Sequence, residues 1–223
     1  MNNKQEYANL WKKDSSKLYS DGLYDWMTEN INSYKNVLEI GCGAGFSTLC
    51  LLQKGHNVIS VEFNDYCIEM TQRLLKENGY SDIKIIKYKI SESNYMQLIE
   101  KLREKIDIVI CWNPGGVDSL SEIDIKETIE DMRLQGYQNP EVGFASNFSE
   151  TLIRCACIIG QILNVDTHII DRDLDEYMNI ADYINIKEYN VHNIIENKIK
   201  GMSNQNTMNI EEEIWYKSFL LKR

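Results

Sequence analysis

Three stretches of the chain hold residues whose type and spacing could bind or move a chemical group. The first is Val37-Leu38-Glu39-Ile40-Gly41-Cys42-Gly43-Ala44-Gly45, an apolar run that enters a turn with glycine at alternate positions. Glycines so placed let the backbone leave a strand sharply and let a ligand approach without a Cβ in the way. Phe46 stands where the dinucleotide-binding G-x-G-x-x-G/A pattern needs its last small residue, and G-x-x-x-x-G-K-[ST] does not occur, so a pyrophosphate cradle is the weaker reading. The second feature is Glu62, which ends the next apolar run 21 positions after Gly41. A carboxylate there can accept both hydroxyls of an adenosine ribose. The plainer alternative is a tight turn and an unrelated solvated charge, which leaves the conjunction unexplained. The third is Cys111-Trp112-Asn113-Pro114-Gly115-Gly116, a polar break after a buried-looking run. Asn113 can offer an amide to a ligand, or the four residues from Asn113 can simply be a loop.

These features sit at the ends of strand-like runs in a β-α-β rhythm, the pattern of a parallel sheet with crossover helices. Strands are expected at Asn36–Ile40, Val58–Glu62, Ile83–Ile90, Ile106–Trp112 and Val165–Ile170, and helices at Phe46–Lys54, Asp65–Asn78 and Ser93–Glu104. Gly55 and Gly79 mark helix stops. The segment Asn113–Phe148 breaks the rhythm as an insertion holding one helix from Ser121, with Ile125, Ile129 and Met132 on a face. A helix over Ser149–Leu163 follows, then one near Leu174–Ala181 and two strand-like runs, Lys187–Lys200 and Glu212–Leu221, joined by a polar loop at Gly201–Asn209. The expected fold is α/β: a seven-stranded, mostly parallel, doubly wound sheet with helices on both faces and a C-terminal antiparallel hairpin. One domain, 1–223, accounts for the length, with 1–35 as a helical cap and 113–148 as a cover on the substrate side.

Glu39-x-Gly41-x-Gly43-x-Gly45 followed by Val61-Glu62-Phe63-Asn64 resembles the class I S-adenosylmethionine-dependent methyltransferase family, and the resemblance extends to strand order and the closing hairpin. It implies that S-adenosylmethionine is the cofactor and S-adenosylhomocysteine its product. It also implies that Glu39 and the turn Gly41-Cys42-Gly43-Ala44-Gly45 surround the amino-acid part, that Glu62 holds the ribose and that Phe63 lies against adenine. The family's acidic residue after the third strand has no counterpart in Lys87-Tyr88-Lys89-Ile90-Ser91-Glu92, which leaves the Ile90 backbone or Ser91 to meet the adenine amino group. Asn113-Pro114 resembles the start of the [D/N]-P-P-[Y/F] motif of amino-group methyltransferases, but Gly115 and Gly116 replace its second proline and stacking aromatic. Helical N-terminal segments cap the cofactor in many relatives. Here Tyr7, Trp11 and Tyr19 are candidate acceptor contacts with Pro114, while Tyr24 and Trp26 read as packing aromatics. Met132, Tyr137 and Phe144 would form the opposite wall.

A net charge of −10 argues against general electrostatic binding of nucleic acid. The six cysteines lack metal-site spacing and read as reduced core residues, so no metal is expected and the location is taken as cytoplasmic. No apolar run is long enough to span a bilayer. His56, His168 and His192 sit in turn or strand contexts that give no base. The leading expectation is methyl transfer to an oxygen or nitrogen of a small molecule, natural product or peptide. The alternatives are an amino-group methyltransferase acting on nucleic acid or a protein amide, and a cofactor-binding protein without turnover. Oligomeric state is not legible.

Overall fold

In the computed structural model, the described residues are 3–115, 120, 122–134, 136, 140–173, 179–182, 184–205 and 210–223. Two helices, α1 (Asn3–Ser20) and α2 (Leu23–Glu29), precede an alternation of β1 (Asn36–Ile40), α3 (Phe46–Gln53), β2 (Asn57–Glu62), α4 (Asp65–Glu77), β3 (Lys84–Lys87), α5 (Tyr95–Lys101) and β4 (Ile108–Trp112). Two further helices, α6 (Glu122–Leu134) and α7 (Pro140–Leu163), lead to β5 (Asp166–Asp173), and the chain closes with β6 (Asn193–Gln205) and β7 (Ile210–Lys222). The strands form one sheet in the order β3-β2-β1-β4-β5-β7-β6. Strands β1 to β5 pair in parallel, and β7 runs antiparallel to both β5 and β6. Six strands therefore point one way and one points back, as the apolar rhythm indicated.

Strand alternation divides the core into two layers. Leu38, Val109, Ile169 and Phe219 face one side, where Leu98 of α5 and Ile153 and Cys157 of α7 cover them. Val37, Ile108, Ile110 and Ile170 face the other, against Leu18 of α1, Met27 of α2 and Cys50 and Leu51 of α3. Tyr24 is buried in that second layer and Trp26 packs against it, as expected of packing aromatics. None of the six cysteines forms a disulfide, and all are buried. Among the described residues, no helix is long and apolar enough to cross a membrane, and no group of three potential metal ligands occurs.

Several boundaries differ from the sequence expectation. The third strand ends at Lys87 rather than Ile90, because Asn94 gathers the next residues into a turn: its Oδ1 accepts the Ser91 N–H at 2.8 Å and its Nδ2 donates to the Lys89 carbonyl at 2.9 Å. That turn also confines the following helix to Tyr95–Lys101, inside the expected Ser93–Glu104. Helix α7 starts at Pro140, nine residues before Ser149, where proline fits a helical first turn and Gly143, Ser146 and Asn147 had hidden the helical period. Ile186–Tyr189 is a 3₁₀ turn, so the sixth strand begins at Asn193 and His192 precedes it. That strand continues to Gln205 through the polar stretch expected to be a loop, because β7 pairs with it throughout. Of the helix expected near Leu174–Ala181, residues 174–178 lie outside the described residues, and Ile180–Asp182 is a 3₁₀ turn. Gly116, Ser121, Tyr137 and the side chain of Phe144 also lie outside them.

The chain end is anchored by one carboxylate. Asp166, at the start of β5, accepts hydrogen bonds from Tyr34 Oη at 2.5 Å, Lys222 Nζ at 2.6 Å and the Arg223 N–H at 2.7 Å. Burial alone would raise its pKa, but the bonds from Lys222, Tyr34 and Arg223 prevail and hold it below the ordinary carboxylate value. A depressed folded-state pKa means that this stabilisation is present at neutral pH and is lost as pH falls through that value. Asp166→Asn should therefore lower unfolding stability at pH 7 by about 1–2 kcal/mol. In urea titrations the gap between variant and parent should narrow as pH falls below the ordinary carboxylate range and through the lowered folded-state value.

Candidate active site

The carboxyl ends of β1, β2, β3 and β4 open into a cleft of about 690 Å³, including its mouth, beside the point where strand order reverses between β1 and β4. Its floor is set by the glycine turn. Gly41, Gly43 and Gly45 all have positive φ (81°, 52° and 87°). A methyl group on Gly41 would project into open space, so this side of the turn can admit a ligand. A methyl group on Gly43 would instead lie 2.2 Å from Trp11 Nε1, so α1 is seated directly on the turn.

Two buried carboxylates hold this turn from different sides. Glu39 is 2% exposed, and its alternation with Leu38 turns it under the turn, towards α3. There it accepts hydrogen bonds from Ser47 at 2.5 Å, Thr48 at 2.6 Å and Ser60 at 2.7 Å. Burial pushes its pKa up against the three hydroxyls. Glu62, at the end of β2, accepts the N–H groups of Phe63 at 2.8 Å and Asn64 at 3.0 Å through Oε1, and that of Gly43 at 3.0 Å through Oε2. It thereby joins the turns after β1 and β2. A carboxylate offers roughly four acceptor positions, so three N–H bonds leave capacity for a further donor. Burial raises the Glu62 pKa as well, opposed by those N–H groups.

Across the cleft, Asn113 follows β4 in the left-handed region at φ 48°, a conformation asparagine tolerates better than most residues. Its N–H donates to the Ile170 carbonyl at 2.7 Å, and the side chain is buried at the cleft. Among the described residues, its Oδ1 has no hydrogen-bond partner. Buried amide oxygens are ordinarily paired, so this acceptor is open to a donor that enters the cleft. The preceding residue is fixed behind it. Trp112 Nε1–H donates to His168 Nδ1 at 3.0 Å, which leaves the ring proton on Nε2 for Ser218 Oγ at 2.7 Å. Burial pushes His168 down to about 3, so it is neutral and supplies no base to the cleft.

The mouth is crossed by a network of charges. Lys4 of α1 meets Asp124 of α6 at 2.7 Å and lies 5.0 Å from the Phe63 ring centre, while Lys89 reaches Asp124 at 3.5 Å and Glu127 at 3.2 Å. Asn64 caps α4 by accepting the Tyr66 N–H, and its Nδ2 donates to the Lys4 carbonyl.

Tyr7, Trp11, Gly41 and Gly43 line the cleft, as do Glu62, Phe63, Ile90, Asn113 and Pro114. Five other sequence candidates do not. Glu39 lies beneath the turn, and Cys42 faces Thr71, with Sγ 3.7 Å from its Oγ1. Gly45 also packs on Thr71, where a methyl group would lie 2.8 Å from Cγ2. Ser91 is held in the Asn94 turn. Tyr19 bonds Gln53 at 2.7 Å and packs 5.6 Å from Phe46, centre to centre. Phe148 and Leu152 of α7 line the cleft without having been expected there. Their i,i+4 spacing is a helical signal, obscured when the helix is started at Ser149.

Residues 37–133 match the methyltransferase domain family. The matched residues run from β1 into α6 and so take in the glycine turn, Glu62 and Asn113. A curated relative, the ubiquinone biosynthesis O-methyltransferase of Pseudomonas fluorescens (strain SBW25), is 27% identical over 88 residues, which is 39% of this chain and 35% of the relative. The matched part is thus about a third of that relative's length. Among solved structures, TrmN from Thermus thermophilus aligns with a TM-score of 0.53 at 11% identity, over 90% of this chain and 48% of that one. The methyltransferase domain of METTL16 gives 0.51 at 13%, over 91% and 82%, and TehB from Haemophilus influenzae gives 0.50 at 15%, over 91% and 62%. At these identities the likeness is one of fold.

Glu39→Ala should leave three buried hydroxyls without their acceptor and lower unfolding stability by about 2–4 kcal/mol, whereas Glu39→Gln should recover part of that loss. Thermal and urea denaturation of the two variants beside the parent would check this.

Proposed function

We propose that this chain transfers the methyl group of S-adenosylmethionine to an amino nitrogen of a small, largely apolar acceptor, releasing S-adenosylhomocysteine. The observation that carries the reading is Asn113 Oδ1, an unpaired acceptor buried at the cleft. The cofactor supplies a methyl group on a sulfonium, which an in-line nucleophile displaces. Asn113 would take a hydrogen bond from the acceptor's N–H and so aim the nitrogen lone pair at that methyl group. An amine attacks with its own lone pair and loses its proton afterwards. Glu62, already engaged by three N–H groups, would take the ribose hydroxyls with its remaining capacity. The open side of Gly41 would admit the amino-acid part, and Phe63 and Ile90 would flank adenine.

Tyr7, Trp11 and Pro114, joined by Phe148 and Leu152, would wall the acceptor with apolar surface. Residues 1–35 would serve as the cap and 113–148 as the substrate-side cover of one domain spanning 1–223. An oxygen acceptor, as the name of the ubiquinone-biosynthesis relative suggests, has to shed a proton, and an asparagine cannot take one. Lys4 and Lys89 at the mouth are paired with Asp124, which with the net charge of −10 favours a small acceptor over nucleic acid. Six buried cysteines without a disulfide support a reducing, cytoplasmic setting.

Calorimetry with S-adenosylmethionine and S-adenosylhomocysteine should show binding that Glu62→Ala weakens at least about tenfold. With tritiated cofactor, a panel of aromatic and aliphatic amines should be labelled in preference to matched phenols. Asn113→Ala should then lower kcat/KM for the amine about 10- to 100-fold while cofactor affinity changes little. Labelling of phenols alone would replace this reading with oxygen methylation, and tight cofactor binding without turnover on either panel would favour a protein that binds without catalysing.

A further inference from the structure

The two edges of the sheet are built differently. At one, β3 has four residues, and the lysines at its ends are engaged by Glu104 and Asp65. Short, charged edges of this kind resist pairing with another chain. At the other, β6 runs for 13 residues, pairs only with β7, and exposes every residue from Ile195 to Lys200. Ile195 is 47% exposed and Ile199 36%, two of the few large apolar side chains on the described surface.

The sequence of this edge is self-complementary. Ile195-Glu196-Asn197-Lys198-Ile199 reads apolar, acidic, polar, basic, apolar, symmetric in hydropathy and antisymmetric in charge about Asn197. We propose that β6 pairs antiparallel with β6 of a second copy, on a two-fold axis through Asn197, making one sheet across two protomers. In that register Ile195 faces Ile199 of the other copy, Glu196 faces Lys198, and the two Asn197 side chains meet. Each contact forms twice.

An axis perpendicular to the sheet keeps side chains on their own faces, so it can move only to neighbouring residues of the strand. Centred on Glu196 it would set two carboxylates opposite each other, and centred on Lys198 two ammonium groups. Like charges directly opposite are destabilising, so the axis on Asn197 is the one the charges select. In the single chain the Lys198 ammonium lies 5.2 Å from the ring centre of Trp215 on β7, so pairing with Glu196 of the second copy requires it to swing to the open edge.

Light scattering after size exclusion, and sedimentation over a range of concentrations, should show a dimer that dissociates on dilution and is weakened by salt. Glu196→Lys should weaken association by about tenfold or more, and adding Lys198→Glu to it should restore the dimer. Circular dichroism of each variant confirms that the fold is kept. Because the native cysteines are all buried, Asn197→Cys introduces one accessible thiol. On mild oxidation it should link two chains, while Asn193→Cys, which would face Gly201 of the other copy, should not. A parent protein that remains monomeric at about 100 μM would overturn the proposal. So would a dimer indifferent to Glu196→Lys, or one that crosslinks equally well from Asn193→Cys.

Discussion

The cleft depends on keeping a glycine-rich turn open in a place where hydrophobic burial would collapse it. Two carboxylates accomplish this. Glu39 fixes the turn from beneath by tying the start of α3 and the middle of β2 to the end of β1, and Glu62 ties it sideways to the turn after β2. Both are buried, and burial alone disfavours their charged forms. Three hydrogen bonds to each offset part of that cost. They act together with the Gly41 N–H, which donates to the Val61 carbonyl at 2.8 Å, and with Thr71 Oγ1, which donates to the Gly43 carbonyl at 3.0 Å.

On the opposite side, rigidity is supplied without charge. Trp112, His168 and Ser218 form a buried chain of neutral hydrogen bonds across β4, β5 and β7. Asn113 stands at the end of this framework in an uncommon backbone conformation, with its amide oxygen unpaired. The cleft thus joins one side shaped by backbone and carboxylates to another shaped by one amide and apolar walls.

Much of this was legible in the chain itself. The strand-turn-helix at Val37–Gly45 and Glu62 announced their positions because backbone geometry there restricts residue type. The parallel sheet with its crossovers followed from strand-helix alternation, whereas the order of its strands came only with the family resemblance. Legibility failed where contacts override propensity. The polar Asn-rich run is strand as far as Gln205 because β7 pairs with it, and α7 begins among residues that favour helix poorly. Glu39 was recognisable as important, but its direction depends on a one-residue alternation and on Ser47, Thr48 and Ser60 waiting beneath the turn. Phe148 and Leu152 reach the cleft through helix placement, which spacing alone does not reveal.

The seating of Trp11 on Gly43 has a kinetic meaning. With the indole nitrogen 2.2 Å from where a Gly43 methyl would stand, α1 occupies the space directly over the glycine turn. Through Lys4 and Asp124 it is also fastened to α6 across the mouth. If the cofactor lies on that turn, each exchange of product for fresh cofactor requires the same helix to lift, breaking an ion pair and undocking an aromatic ring together. Access to the turn would then depend on how readily α1 undocks.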